Sequence, residues 1–452
     1  MIPERVDAGR SIVSDSARTL LLKVLLGVVA FGASVLLSRG LGPAGRGEYY
    51  LPIVAAGTMV ALCKLGLEQA NVFLYGNRDM AVERLSRQNG VVSLAAGGLG
   101  ALALLLAPAL LPAVFAGTPR ALLVLAGLTI PFTLHAQFSA GVLTLQGRVT
   151  WQFVAALVAG GVQVLLLLGL LLLRQFQVGP VLLVYLVTTV LTWLLVVWAL
   201  DRRGHPWLGW DPDLLRRTLA HSLVLHAGMV LFFLHLRLGM FMVKGMVGTA
   251  ALGLYSLSVV LAETVLLPTD SLALALLPRQ VGNTLAEAAS MALRGARTNG
   301  LLGVGLAALW VLAGATVIRV FFGVAFAAAY LPLVALLPGM VFLGMQRVCG
   351  GPALRAGRPG RITAIYALSL LCNIALNLWW IPRLGIVGAA LASSATHGLG
   401  ALLFLTWTAR LAGAPLLEGL IPKRSDWVVL WRAALRGTQL LARTPDKQAP
   451  LG

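Results

Sequence analysis

Apolar residues fill this 452-residue chain in long runs, broken at near-regular intervals by short clusters rich in glycine, proline and arginine. A helix needs about 20 apolar residues to cross a bilayer. Twelve runs reach that length, over 18–38, 49–75, 89–112, 120–143, 150–173, 178–200, 218–243, 250–277, 299–318, 328–347, 362–381 and 386–409. The joints read "GLGPAGRG", "LAPALLPAVFAGTPR", "RRGHPWLGWDPD" and "RAGRPGR". The pattern predicts an all-α, polytopic membrane protein of about 12 transmembrane helices.

Composition agrees. The chain is 59% hydrophobic and 11% charged, where soluble domains carry about 25% charged residues. Its 50 glycines suit membrane helices. A net charge of +19 would suggest nucleic acid in a soluble protein. Here the basic residues gather in the tails and alternate connections, which places both termini in the cytoplasm, and no nucleic acid is expected. The polar N-terminal stretch reads as a cytoplasmic tail and not as a cleavable signal. Cys63, Cys349 and Cys372 lie in or beside apolar runs without metal-ligand or CxxC spacing, so they read as small core residues.

An internal repeat is visible. "LTLQGRVTWQF" before the fifth run resembles "LRAGRPGRITA" before the eleventh, pairing Gly147-Arg148 with Gly357-Arg358. "FQVGPVLL" resembles "LGIVGAAL", and "LSRGLGPAGRGEYY" corresponds loosely to "MVKGMVGTAALGLYS". Six helices per half point both halves the same way. That is a parallel repeat of the transporter kind, with a substrate site expected between the halves. The expected organisation is a cytoplasmic tail (1–17), an N-lobe (18–200), a cytoplasmic linker (201–217), a C-lobe (218–409) and a cytoplasmic tail (410–452). In that last tail "SDWVVLWRAALRGTQLLAR" predicts an amphipathic helix near 425–443. Its arginines would face the anionic inner leaflet.

No Walker loop, nucleophile elbow or HExxH motif occurs. The outer connections are too short for a catalytic domain, so a membrane enzyme is not expected, and no cofactor or metal is implied. Polar groups inside the predicted helices remain. A charge at mid-helix costs about 2.5–3.5 kcal/mol on insertion scales and usually faces a bundle interior or a wet cavity. Lys64 and Glu68, at i,i+4 spacing in the inner half of the second helix, would share a face. They form either a local ion pair or part of a transport path. Arg237, in the outer half of the seventh helix, has no acid within a turn and suits an anionic substrate. Glu263 in the eighth helix is its natural partner, or a proton or cation site. Glu68 is the second acidic candidate for ion coupling. Asn373 and Asn377 share one face of the eleventh helix, and Gln137 lies near His135 in the fourth. These amides suit hydrogen bonding across helices or binding a ligand. His221, His226 and His235 do not form one stripe. Trp193, Trp198, Trp379 and Trp380 lie near helix ends, as an interfacial belt requires.

Several segments resemble a family. "LLSRGLGPAGRGEYYL", "KLGLEQANVFLYGNR", "MVKGMVGTAALGLYSLSVVLAE" followed by "LLPR", and "LRAGRPGRITAIYALSLLCNIALNLWWIPRLGIVGAALASS" look like stretches of bacterial polysaccharide-biosynthesis flippases. Those belong to the multidrug/oligosaccharidyl-lipid/polysaccharide exporter superfamily. The likeness runs to about Arg410. It implies a V-shaped, two-lobed bundle with a cationic central cavity in the bacterial inner membrane. It also implies translocation of polyprenyl-pyrophosphate-linked oligosaccharide by alternating access, coupled to H+ or Na+. Partner glycosyltransferases and a polysaccharide polymerase would go with that role. Members of that family often carry Arg-x-Asp in the seventh helix, where the third position here is Gly239. The arginine-rich first helix of lipid II flippases is absent. A multidrug cation antiporter of the same superfamily and a non-transporting scaffold of a polysaccharide assembly complex are the alternatives.

Overall fold

The computed structural model describes residues 8–67, 82–200, 208–209, 211–267, 269, 283–424 and 426–427. Among them there is no β-strand. A helix satisfies its backbone internally, as a bilayer demands. Eleven helices are long and apolar enough to span: α1 (Ala8–Cys63), α2 (Val82–Leu110), α3 (Arg120–Leu145), α4 (Thr150–Leu172), α5 (Val178–Leu200), α6 (Pro212–Met246), α7 (Thr249–Glu263, continued by a 3₁₀ turn to Leu266), α8 (Leu285–Val317), α9 (Tyr330–Val348), α10 (Pro359–Leu384) and α11 (Ile386–Ala412).

The first of these holds two predicted segments. Its apolar part, Leu21–Cys63, is 43 residues long, about twice what one crossing needs. Gly42 breaks it with φ 66° and ψ −179°. Pro43 then opens the second half, where its fixed φ and missing N–H cost nothing. All twelve predicted segments are therefore found.

Boundaries differ most in two places. The helix expected over 49–75 ends at Cys63, because Leu65 (φ 52°) and Gly66 (φ 72°) turn left-handed. The i,i+4 face expected to join Lys64 to Glu68 is thus interrupted at Leu65-Gly66, and Glu68 itself lies outside the described residues. At the other difference, α8 starts 14 residues before the expected 299. A capping box sets this start: the Thr284 backbone N–H donates to Glu287 Oε2 at 2.9 Å, and the Glu287 N–H donates to Thr284 Oγ1 at 3.3 Å.

The repeat is visible in backbone geometry. Left-handed positions pair along the chain as Gly42 with Gly248, Gly147 with Gly357 and Arg174 with Gly385. Each pair ends corresponding segments of the two halves.

The chain divides into two compact units. One comprises Met1–Leu261, Ala313–Ala335 and Pro359–Ser393; the other comprises Ala262–Leu312, Leu336–Arg358 and Ser394–Gly452. In the first, α1 packs against α2, α3, α4, α5 and α6, and α6 lies along α10. Ala33, Leu37, Tyr49, Leu122, Leu167, Val181 and Leu182 form one of its cores. Arg39 donates to the carbonyls of Phe321 (2.7 Å) and Val320 (2.5 Å), inside the π-helical turn Ile318–Phe322.

In the second unit, Arg297 of α8 grips the segment after α11. Its Nε and Nη2 donate to the two oxygens of Asp426 at 2.5 and 2.9 Å, and its Nη1 donates to the Glu418 carbonyl at 2.8 Å. Asp426 also accepts from the Lys423 backbone N–H at 2.7 Å. The amphipathic helix expected near 425–443 falls, beyond Trp427, outside the described residues.

Candidate functional site

Buried charge singles out a residue that the sequence pattern had assigned to a connection. Arg46 opens the second half of α1 and is 3% exposed. The Gly42 kink sets it beside Ser34 and Ser38 of the first half. Its Nη1 donates to Ser38 Oγ (2.7 Å), Ser34 Oγ (3.3 Å) and the Ser34 carbonyl (3.4 Å), and its Nε donates to Ser256 Oγ of α7 (3.1 Å). The guanidinium carbon lies 5.9 Å from the centre of the Tyr50 ring. All four acceptors are neutral, and among the described residues no carboxylate pairs with it. Neutral oxygens offset only part of the cost of burying a charge.

The contact with α7 depends on glycine. A Cβ at Gly47 would overlap the Thr249 carbonyl, and one at Gly253 would overlap the Pro43 carbonyl. Pro43 corresponds to Thr249 and Gly47 to Gly253 at one common offset in the repeat. The crossing is therefore self-complementary, as at a two-fold axis. The matching segments "GPAGRGEYY" and "GTAALGLYS" carried this signal. Aligned on Gly42 and Gly248, they place Arg46 inside a helix, opposite Leu252.

Arg237 is half-buried on α6. Helices α6 and α10 run parallel here: the Gly228 backbone faces Thr363, and the Phe232 and Tyr366 rings lie 4.9 Å apart. Continuing that register puts Asn373 level with Gly239 and close to the height of Arg237. Asn373 and Asn377 are both 0% exposed, and Asn377 Nδ2 donates to Asn373 Oδ1 at 2.8 Å. Asn377 Oδ1 and the Ser369 hydroxyl, on the same face of α10, are buried without a hydrogen bond among the described residues. At Gly239 a Cβ would lie 3.4 Å from Tyr255 Oη and 3.9 Å from Ser393 Oγ. Those two hydroxyls are themselves 3.4 Å apart.

Glu263 ends α7, half-buried, and belongs to the second unit, whereas Arg237 belongs to the first. Lys64 follows the last residue of α1 and is half-buried. The helix end leaves carbonyls without intrahelical donors, and His226 Nε2 donates to one of them, Leu62, at 3.0 Å. In α3, His135 Nδ1 accepts from Trp193 Nε1 at 2.9 Å, which fixes its proton on Nε2. Two residues on, Gln137 Oε1 is buried without a hydrogen bond among the described residues. Lys244, 7% exposed, donates to the Ala116 carbonyl at 3.0 Å. Among the described residues no three His, Cys, Asp or Glu side chains gather as a metal site.

No family model matches the sequence, and no curated protein matches it. Solved structures do match over most of the chain. The lipid II flippase MurJ in an inward closed conformation aligns with a TM-score of 0.71 at 15% identity, covering 92% of each chain. The fold is that of the MOP superfamily transporters. An inward-facing multidrug resistance MATE family transporter of that superfamily aligns at 0.69 and 14% identity, covering 89% of this chain and 99% of its own. A MOP superfamily transporter from Pyrococcus furiosus, described as having a binding pocket of reversed polarity, aligns at 0.64 and 14% identity over 88% and 94%. The chain is thus a multi-pass membrane protein with a transporter fold.

Proposed function

We propose that this chain is a flippase carrying polyprenyl-pyrophosphate-linked oligosaccharide across the bacterial inner membrane. In this reading both termini are cytoplasmic and the halves 18–200 and 218–409 work by alternating access. One observation carries it. Among the described residues the buried charged side chains are Arg46, Lys244, Arg297 and Asp426. The one acid lies beyond α11 and is committed to Arg297. Buried charge within the spans is therefore basic, which suits a pyrophosphate and not an organic cation. Arg237 and Lys64 serve the same anion at outer and inner levels, with Asn373, Asn377 and Gln137 as polar contacts. Glu263 and Glu68 are the groups for ion coupling. The MATE likeness leaves multidrug export as the second reading, and it predicts transport of organic cations.

The test uses the purified chain in proteoliposomes, with lipid-linked oligosaccharide as substrate and an organic cation as its comparator. Flipping should fall at least tenfold in Arg46→Gln, Arg237→Gln and Lys64→Gln. Normal flipping in all three, or cation efflux without lipid flipping, overturns the proposal. Glu263→Gln should remove the response to a pH or sodium gradient. An unchanged gradient response refutes the coupling role.

A further inference from the structure

We propose that a cleft at one end of the first unit is a saccharide-binding subsite. Its volume is about 470 Å³, within the roughly 300–1,000 Å³ usual for small-molecule sites. Three connections build it: the α1 kink, the start of α3 and the turn into α5. These lie on the outer side in the orientation proposed above. The inference rests on that reading for its biological meaning, but the cleft is tested without transport.

The wall chemistry selects the ligand. Among the described residues, Glu48 and Gln177 are the polar side chains lining the cleft, and no Lys or Arg lines it. Glu48 is two residues from Arg46, so the two point to nearly opposite faces of the helix. The same turn sends its cation toward Ser256 and its carboxylate toward the cleft. A phosphate brought here would meet Glu48 and no base. Sugar hydroxyls suit both groups: a carboxylate accepts, and an amide donates and accepts. Phe176 adds an apolar ring against which the C–H face of a pyranose can lie. That ring sits where a Gly40 Cβ would be, so glycine is what admits it. Gly45 and Gly179 keep two further walls low. An organic cation would also meet Glu48. However, the Gln177 amide carries N–H donors that a cation cannot use, and a single ring is not a cage.

Gly179 supplies the decisive variant, because a Cβ there meets nothing within 4 Å. A large side chain can grow from it with no neighbour at its root. The full chain in lipid nanodiscs is mixed with maltose or lactose, which carry no lipid or phosphate, and saturation transfer to the sugar is read by NMR. Transfer should occur with the parent and with Gly179→Ala. Glu48→Gln should weaken the sugar at least fivefold, and Gly179→Trp should abolish transfer.

Three results overturn the proposal: no transfer to either sugar, undiminished transfer in Gly179→Trp, or Glu48-dependent binding of tetramethylammonium without sugar. Should Gly179→Trp not fold, the Glu48→Ala/Gln177→Ala pair decides, and retained transfer refutes the site. Flipping measured on the same preparations separates the two ideas. Sugar binding without flipping leaves the cleft and removes the transport reading; flipping without sugar binding does the reverse.

Discussion

Arg46 Nε lies 3.1 Å from Ser256 Oγ, and that bond joins one half of a repeated chain to the other. It sits beside a crossing so close that neither helix has room for a methyl group at Gly47 or Gly253. In a bilayer, helices associate through such small-residue contacts and hydrogen bonds, since lipid supplies no hydrophobic drive between them.

Closeness of this kind tolerates no added atom. Gly47→Ala and Gly253→Ala should each lower stability by about 1–3 kcal/mol, because backbone must move. Gly98→Ala is the control, with nothing within 4 Å of its Cβ, and should be neutral or gain up to about 1 kcal/mol in helix propensity. Thermal unfolding of the three variants in one detergent checks the order.

Arg46 should be costly to the fold and needed for function. Its replacement by Met keeps the volume and removes an unpaired buried charge. Replacing buried ion pairs by apolar side chains is often neutral, or stabilising by about 1–4 kcal/mol, and a cation held only by neutral oxygens has less to offset its burial. Arg46→Met should therefore melt at or above the parent temperature while flipping falls at least tenfold. A variant that melts lower and flips in proportion to its folded fraction would make Arg46 purely architectural.

The Arg297–Asp426 pair sets an acid limit. Burial raises the Asp426 carboxyl, but the Arg297 hydrogen bonds and the Lys423 N–H outweigh it and hold it below its ordinary range. A depressed acid contributes fully above its unfolded pKa, about 3.9, and loses that contribution as pH falls through its lower folded value. Hydrogen-exchange protection over 416–427, corrected for the intrinsic exchange rate at each pH, should be flat from pH 8 to 5 and fall only below about 4. Asp426→Asn should show the reduced protection at neutral pH.

The spans were legible because length and apolarity alone decide them. Val178–Leu200 falls where the pattern put it. The end of α1 was not legible: nothing in "CKLGLEQ" announces that Leu65 will take a left-handed φ, rare for a leucine. The break interrupts the helix directly after Lys64. Arg46 was missed for the opposite reason. "GLGPAGRG" has every local sign of a loop, and only the match to residues 248–256 shows that a helix resumes at Pro43. Asn373 and Asn377 were found as a pair because i,i+4 spacing survives in the regular helix α10.

The repeat has a consequence beyond architecture. At the crossing the backbone is symmetric but the chemistry is not: the position matching Arg46 is Leu252, and the one matching Ser256 is Tyr50. Two identical copies of the first segment would set each arginine against a tyrosine, since Ser256 matches Tyr50. The lock rests on the difference between the copies, a donor in one and an acceptor in the other. Swapping the two segments would preserve composition and backbone and still exchange which half holds and which is held.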